Sequence, residues 1–208
     1  MIELHTWGTP NGRKVSIMLE ECELPYSVHK IDISKGEQHK PEFLRISPNN
    51  RIPAIVDPDG PGGKPYSLFE SGAILIYLAD KTKKFLPADG AKRYDSIQWL
   101  MWQMGGFGPM LGQAHHFLRA APSKIEYGIK RYVDEAKRLY GVLDKQLAGN
   151  AFVAGEEYTI ADMSIFPWAA RHEWHTVNLD EFPNVKRWYD IVNARPAVTK
   201  GMAVPYLN

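Results

Sequence analysis

Every segment with strand-like patterning in this chain lies before Thr82. Apolar and β-branched runs of this kind occupy residues 2–5, 26–33, 52–57 and 66–69. Between the first two runs, apolar positions recur at helical spacing until Pro25, and another helix is predicted to begin at Glu70-Ser71. This order of elements predicts a small mixed sheet covered by helices, with a right-handed first crossover.

Residues 82–92 divide the chain into two parts of different character. They are rich in Lys, Pro, Asp and Gly, which is the composition of a linker, and no strand pattern follows them. The predicted fold class is therefore α/β plus all-α. We expect an N-terminal α/β domain over residues 1–81 and an all-helical C-terminal domain over residues 88–208.

Two features define the helices of the second part. Apolar residues between Ile125 and Leu147 recur at spacings of three and four, which predicts one long amphipathic helix. Thr159 is followed three residues later by Asp162, a variant of the capping box that marks a helix start. Gly106-Phe107-Gly108 follows a helical stretch and lacks the spacing of a dinucleotide-binding loop, so a helix kink is the better interpretation.

Composition excludes several classes of function. The 208 residues carry a net charge of +1 without a long run of one sign, which gives no reason to expect nucleic acid or an anionic membrane as partner. No stretch approaches the roughly 18 apolar residues of a membrane helix. A single cysteine excludes an internal disulfide framework and fits a reducing compartment. We therefore expect a globular cytoplasmic protein.

The tripeptide Thr9-Pro10-Asn11 lies between the first predicted strand and the first helix. One interpretation is an ordinary turn and helix cap. The other is an anion site, because the first amides of a helix lack internal partners and carry positive partial charge. Cys22 lies elsewhere, on the apolar face of the helix, where a buried and inert thiol is the default. Sulfur chemistry at this turn would therefore need a thiol brought by a ligand.

Three further segments offer polar groups that could bind other parts of such a ligand. A cis bond at Ile52-Pro53 would turn the Ile52 backbone outward to pair with an extended peptide, whereas a trans proline at a sheet edge is the ordinary alternative. Glu70-Ser71 offers a carboxylate and a hydroxyl at a helix start, and is also a common cap. Gln38 lies in an irregular loop, where solvent exposure is the usual explanation. Together these segments fit an extended ligand with an amino-acid head and a sulfur, which is the shape of glutathione.

Several stretches of the chain resemble the soluble glutathione transferases, and more narrowly their bacterial Nu class. These stretches are Thr9-Pro10-Asn11-Gly12, residues 41–50, residues 52–57, residues 69–74 and residues 99–113. The resemblance implies a thioredoxin-like N-terminal domain, an all-helical C-terminal domain and a homodimer. It also implies a glutathione-dependent disulfide-bond oxidoreductase that acts on small disulfides, with glutathione bound in its reduced or disulfide form.

The resemblance also assigns roles around the glutathione sulfur. It places the catalytic residues Thr9 and Asn11 against the sulfur, and pairs the Ile52 backbone with the cysteinyl part. Other classes place a catalytic Tyr, Ser or Cys near the end of the first strand, where this chain has residues 5–8. A supporting part for Thr6 or Trp7 stays open.

The rest of the ligand is assigned in the same way. Glu70 and Ser71 would hold the γ-glutamyl head, and Gln38 would contact the peptide or glycyl part. Arg131, on the long helix of the second domain, would add a charge to the site, a role that rests wholly on the resemblance.

Two other functions remain open beside disulfide reduction. One is a conventional transferase that conjugates glutathione to small electrophiles, and the other is a non-catalytic binding module that keeps the fold. A metal site is not expected. His115-His116 and the pair His172 and His175 lack carboxylate or cysteine partners at a recognised spacing.

Overall fold

The computed structural model describes residues 1–206, which form two compact units. The first unit begins with β1 (Ile2–Thr6), α1 (Pro10–Glu21), β2 (Tyr26–Lys30), α2 (Pro41–Leu44), β3 (Ala54–Asp57), β4 (Tyr66–Phe69) and α3 (Ser71–Thr82). The second unit contains α4 (Gly90–Trp102), α5 (Gly108–His115), α6 (Glu126–Leu147), α7 (Ile160–Ala169) and α8 (Pro183–Asn193). The last helix, α9 (Pro196–Ala203), belongs to the first unit. The predicted combination of an α/β unit and a helical unit is confirmed.

The four strands form one mixed sheet in the order β2-β1-β3-β4. β1 runs parallel to β2 and antiparallel to β3, and β3 and β4 form an antiparallel hairpin. His5 pairs with Ala54, which in turn pairs with Phe69. The C-terminal ends of β1, β2 and β4 therefore lie at the same end of the sheet as the start of β3.

The core of the first unit is formed by buried apolar residues of β1, β3, α1 and α3. β1 alternates buried and partly exposed residues, and Leu4 is fully buried. The predicted apolar face of α1 is buried throughout, including Met18 and Cys22. Burial raises the pKa of the Cys22 thiol above its usual value, which favours the neutral thiol over the thiolate.

Helix α9 packs against α1, although the sequence analysis placed its residues in the C-terminal domain. Ser16 Oγ donates a hydrogen bond of 2.7 Å to the carbonyl of Gly201, and Arg195 forms a two-pronged ion pair with Glu21. A Cβ atom at Gly201 would lie 2.5 Å from the Cα atom of Ile17, so this close approach requires glycine. The sequence analysis does not predict this helix, and helical periodicity carries no information on which core a helix covers.

The helical unit contains the long predicted helix as α6, whose buried face includes Leu139, Tyr140 and Leu143. The run from α4 to α5 passes through a π-helical turn at Gln103–Phe107, which agrees with a helix irregularity there instead of a nucleotide-binding loop. No helix within residues 1–206 is both long and apolar enough to span a membrane.

The start of α7 is organised by a buried carboxylate. Thr159 and Asp162 form the predicted capping box, in which Asp162 accepts a 2.9 Å hydrogen bond from the Thr159 amide. Asp162 also accepts hydrogen bonds from the Val153 amide at 2.9 Å and from Trp188 Nε1 at 2.8 Å. The side chain thus ties a loop and two helices of the helical unit together.

Replacement of Asp162 by alanine is expected to lower the free energy of unfolding by about 3 kcal/mol or more, because it leaves several buried donors without an acceptor. Urea denaturation followed by circular dichroism measures this change. Asp180→Ala is the control, since its ion pair with Lys186 is exposed to solvent and should contribute little to stability. Equal losses in the two variants would contradict the assigned role of Asp162.

Candidate active site

The pairing of the strands brings the sequence-predicted segments of the first unit to one end of the sheet. The turn at Thr9 follows β1, Ile52-Pro53 precedes β3, and Glu70-Ser71 follows β4. Gln38 lies in the connection that follows β2. Because β1 and β3 are antiparallel neighbours, and so are β3 and β4, the first three segments leave the sheet side by side.

Thr9 is the N-cap of α1, as the sequence predicts. Its backbone is extended, with φ −113° and ψ 160°, and its Oγ1 accepts a 3.2 Å hydrogen bond from the Gly12 amide. Since the oxygen is the acceptor in this bond, the Thr9 hydroxyl hydrogen remains available to a ligand. The Thr9 side chain can therefore cap the helix and also donate a hydrogen bond to an anion. Asn11 is half-buried in the first turn of the same helix.

Gly12 allows α1 to begin directly against the end of β1. A Cβ atom at this position would lie 2.2 Å from Thr6 Oγ1 and 2.6 Å from the Trp7 carbonyl oxygen. Thr6 is 1% exposed and packs beneath the turn. Its position indicates a supporting part, because so deeply buried a hydroxyl has no open path to a ligand.

Tyr206 is a residue at this turn that the sequence reasoning missed. A Cβ atom at Gly8 would lie 2.5 Å from the Tyr206 hydroxyl oxygen, and the rings of Trp7 and Tyr206 meet edge to face with centroids 6.2 Å apart. The phenol thus lies beside the residue that precedes Thr9. No sequence signal connects positions so distant along the chain.

Glu70 and Ser71 form the start of α3, as predicted. Glu70 is exposed and has φ +69° and ψ 109°, a conformation that L residues rarely adopt and that costs about 1–3 kcal/mol. Ser71 is only 3% exposed. Strain of this kind persists where the surrounding structure enforces it, and it is concentrated at functional sites.

Lys14 lies beneath Ser71 and was also missed. It is 1% exposed, and its Nζ donates a 3.4 Å hydrogen bond to Ser71 Oγ. Burial lowers the pKa of Lys14 to about 7, while the charge of Glu70 acts in the opposite direction. A signal existed in the sequence, because Lys14 precedes Met18 by four residues and so lies on the face of α1 that was predicted to be apolar.

The Ile52-Pro53 peptide bond is cis, which settles the alternative left open by the sequence. Pro53 is buried and Ile52 is half-buried. Within residues 1–206, the backbone amide and carbonyl of Ile52 form no hydrogen bond with other backbone groups. These two groups can therefore serve an extended ligand.

Two predicted residues, Gln38 and Arg131, do not belong to these three segments. Gln38 is half-buried in the short 3₁₀ turn Glu37–His39, and its Oε1 is buried without a hydrogen-bond partner in the described part of the chain. Arg131 belongs to the helical unit, where it is exposed on α6 with its guanidinium 6.0 Å from the centre of the Tyr132 ring. Its assignment to the site stays a prediction.

Metal-ligating side chains come together at one place among residues 1–206, and it is not the place considered from the sequence. Glu3, His5 and His29 have ligand atoms within 4.8 Å of one another, because His5 and His29 are paired across β1 and β2. The two imidazole rings, however, stack with centroids 4.6 Å apart and planes at 17°. A metal ion binds in the plane of an imidazole ring, so these nearly parallel rings do not converge on one ion.

Comparison with known proteins places this architecture in a family. The family model of the glutathione S-transferase N-terminal domain matches residues 9–81, and that of the glutathione S-transferase C-terminal domain matches residues 109–196. The Escherichia coli disulfide-bond oxidoreductase YfcG is 51% identical over 97% of this chain and 94% of its own length.

Two solved structures are similar over nearly the whole chain. A glutathione transferase family member from Pseudomonas fluorescens, with two glutathione bound, has 52% identity and a TM-score of 0.94, and the match covers 98% of this chain and 93% of that one. A glutathione transferase from Pseudomonas putida, with one glutathione disulfide per subunit, has 48% identity, a TM-score of 0.94 and coverage of 98% and 91%. With both domains of the family matched in order along the chain, this protein belongs to the glutathione S-transferases and resembles their bacterial Nu class.

Proposed function

We propose that this protein is a glutathione-dependent disulfide-bond oxidoreductase that uses the thiolate of bound glutathione and no cysteine of its own. The observation that supports this most directly is that the hydrogen-bond donor suited to a thiolate and the protein's own thiol belong to different places in the fold. Thr9 has a donor hydrogen available at the start of α1, whereas Cys22 is buried with a raised thiol pKa. The identity to a disulfide-bond oxidoreductase favours disulfide reduction over conjugation.

The placement of glutathione follows from the segments at the end of the sheet. The γ-glutamyl head lies at Glu70 and Ser71, where the Glu70 carboxylate pairs with the ammonium group of the ligand. The cysteinyl part runs along the Ile52 backbone, whose amide and carbonyl have no other backbone partner within residues 1–206. The sulfur then reaches the Thr9 hydroxyl and the Asn11 amide.

Gln38 and Arg131 complete the proposed site. The buried Gln38 Oε1 suits a donor from the peptide or glycyl part of glutathione. Arg131, exposed on α6, adds positive charge for the ligand carboxylates. Its contribution is tested by Arg131→Ala, which should weaken glutathione binding if the proposal is correct.

The mechanism begins with the glutathione thiol, whose reference pKa is near 8.5. A hydrogen bond from Thr9, the Asn11 amide and the positive end of α1 all favour the thiolate and lower this pKa. Thr9 acts as a donor and not as a general base, because a neutral hydroxyl is far too weak a base.

The bound thiolate then attacks one sulfur of a disulfide. A new sulfur–sulfur bond forms to glutathione, the old one breaks, and the other half of the substrate leaves as a thiolate. A second glutathione thiolate attacks the glutathione sulfur of this mixed disulfide and releases the other substrate thiolate. Two glutathiones thereby supply two electrons and become glutathione disulfide. The ligands bound in the two Pseudomonas structures, two glutathiones in one and one glutathione disulfide in the other, correspond to the two ends of such a reaction.

We further propose a homodimer in the cytoplasm, without nucleic-acid or membrane partners. The dimer is a family expectation, the net charge of +1 gives no electrostatic reason for polyanion binding, and a single buried cysteine suits a reducing compartment. Light scattering measures the molar mass of the purified protein and so tests the dimer.

Replacement of Thr9 or Asn11 by alanine is expected to lower kcat/KM for a small disulfide by about 10- to 100-fold, because a hydrogen bond to a charged group contributes about 1.5–3 kcal/mol. Cys22→Ala, the matched control, should stay within about twofold of the wild type, since it removes only a buried thiol. Thr9→Ser should keep most activity. Loss of activity in Cys22→Ala alone would show that the protein cysteine takes part.

The three candidate functions are separated by measuring two activities and one affinity on the wild-type protein. We expect turnover of bis(hydroxyethyl) disulfide with glutathione to exceed conjugation of chlorodinitrobenzene by about tenfold or more. Strong conjugation with negligible disulfide reduction would instead establish the conventional transferase. Failure to bind glutathione at millimolar concentration in calorimetry would leave a non-catalytic module.

A further inference from the structure

The helical unit contains a cavity that shares no residue with the candidate active site. It has a volume of about 460 Å³ and is lined by α4, the C-terminal end of α6 and the loop after α6. The polar and aromatic residues on its lining are Asp95, Gln98, Trp99, Trp102, Gln146 and Asn150. We infer that this cavity binds an organic cation with several N–H groups, and specifically a guanidinium group.

The three amide side chains of the cavity each have an oxygen left to accept a hydrogen bond. Gln98 Nε2 donates to the Asp95 carboxylate at 3.3 Å, and Gln146 Nε2 donates to the Val153 carbonyl at 2.9 Å. Asn150 Nδ2 donates to the Gln146 carbonyl at 2.7 Å. Because carboxylate and carbonyl oxygens only accept, these contacts identify the nitrogen of each amide, and its oxygen points away from them. Within residues 1–206 the three amide oxygens receive no hydrogen bond.

Of the described residues that line the cavity, Asp95 alone is charged at neutral pH. Its side chain is half-buried and accepts a hydrogen bond from Gln98, and it forms no ion pair within residues 1–206. The guanidinium of Arg187 lies at the same loop, but it donates to the backbone carbonyls of Leu147 and Asn150. A bound cation would therefore meet an unpaired carboxylate, whereas an anion would meet no cationic side chain on the described lining.

Trp99 and Trp102 supply aromatic faces that suit the same ligand. Both side chains are half-buried, and their rings lie with centroids 5.1 Å apart and planes at 73°. The face of an indole ring carries negative partial charge and attracts cations more strongly than the face of any other aromatic side chain. The two rings, the carboxylate and the amide oxygens thus all favour a positively charged ligand.

A guanidinium group fits these side chains better than other cations do. It is planar, presents five N–H donors, is weakly hydrated and stacks on aromatic rings. An ammonium group has only three donors and holds its water more strongly. A metal ion would find a single carboxylate among the described residues of the lining, and the indole faces would offer it no lone pair.

The guanidinium group has two possible sources, a free small molecule and an arginine of a second copy of this chain. The second source is considered because α4 also exposes Tyr94 and Met101, which are 71% and 48% accessible. Large apolar side chains on the surface are of the kind that a second copy covers. Both sources present the same chemical group to the cavity, so the experiment has to distinguish them.

The test compares two probes of the same shape in matched variants. NMR titration of isotope-labelled protein, followed at the indole N–H signals of Trp99 and Trp102, measures the Kd of Nα-acetylarginine amide and of Nα-acetylcitrulline amide. The second compound has a neutral urea group in place of the guanidinium. The variants are Asp95→Asn, which removes the charge and keeps the shape, and the control Asp180→Asn. Asp180 is an exposed carboxylate of the same unit, with 66% of its side chain accessible.

We expect the wild type to bind the arginine compound with a Kd in the millimolar range or below, and the citrulline compound about tenfold or more weakly. Asp95→Asn should bind the arginine compound about tenfold more weakly than the wild type, while Asp180→Asn should bind it unchanged. This result identifies a free small molecule as the source.

If a second copy is the source, the wild type does not bind the arginine compound, because the cavity is already filled. Light scattering over a range of concentrations should then show that Asp95→Asn weakens the dimer by about tenfold or more, whereas Asp180→Asn leaves it unchanged.

The inference is overturned by equal binding of the two compounds, or by binding of the arginine compound that Asp95→Asn leaves unchanged. It is also overturned if the wild type binds neither compound and Asp95→Asn leaves its association unchanged. None of these results concerns glutathione, so the proposed function is tested separately.

Discussion

The candidate site depends on one feature of the backbone, the pairing of β3 with its two neighbours. His5 pairs with Ala54 on one side, and Phe69 pairs with Ala54 on the other. This register places the residues after β1, before β3 and after β4 next to one another, although they are separated by tens of residues in the chain. A shift of one residue would reverse the side chains of β3 and move the Ile52 backbone away from the other two segments.

Helix α1 connects the two ends of the proposed ligand site. At its start, the Gly12 amide donates a hydrogen bond to Thr9 Oγ1, and the Thr9 hydroxyl hydrogen can then be donated to a ligand. Its second turn contains Lys14, which extends beneath the start of α3. The absence of a side chain at Gly12 lets this helix begin against the Trp7 carbonyl. The same short segment therefore contains the cap at the predicted sulfur position and contacts Ser71 at the predicted head-group position.

The sequence predicted the parts of the site that depend on local chemistry. The Thr9 cap, the start of α3 at Ser71 and the mixed sheet followed from capping residues, strand patterns and their order. The place of Lys14 on the predicted apolar face of α1 was readable from the sequence, but its contact with Ser71 was not, and neither was the approach of Tyr206 to Gly8, because these contacts join residues that are distant in the sequence. The packing of helix α9 on α1 likewise has no signal in the sequence, since periodicity does not identify a packing partner. Strain at Glu70 likewise arises from tertiary structure and has no local signal.

The central claim is that the protein stabilises a thiolate that belongs to its ligand. The most direct measurement is the pKa of the thiol of bound glutathione, followed by ultraviolet thiolate absorbance in the Cys22→Ala variant, where no protein thiol contributes. The account predicts a value clearly below the reference of about 8.5, and a return toward that reference when Thr9→Val is added. A bound thiol that titrates at its free value with Thr9 present would contradict the account.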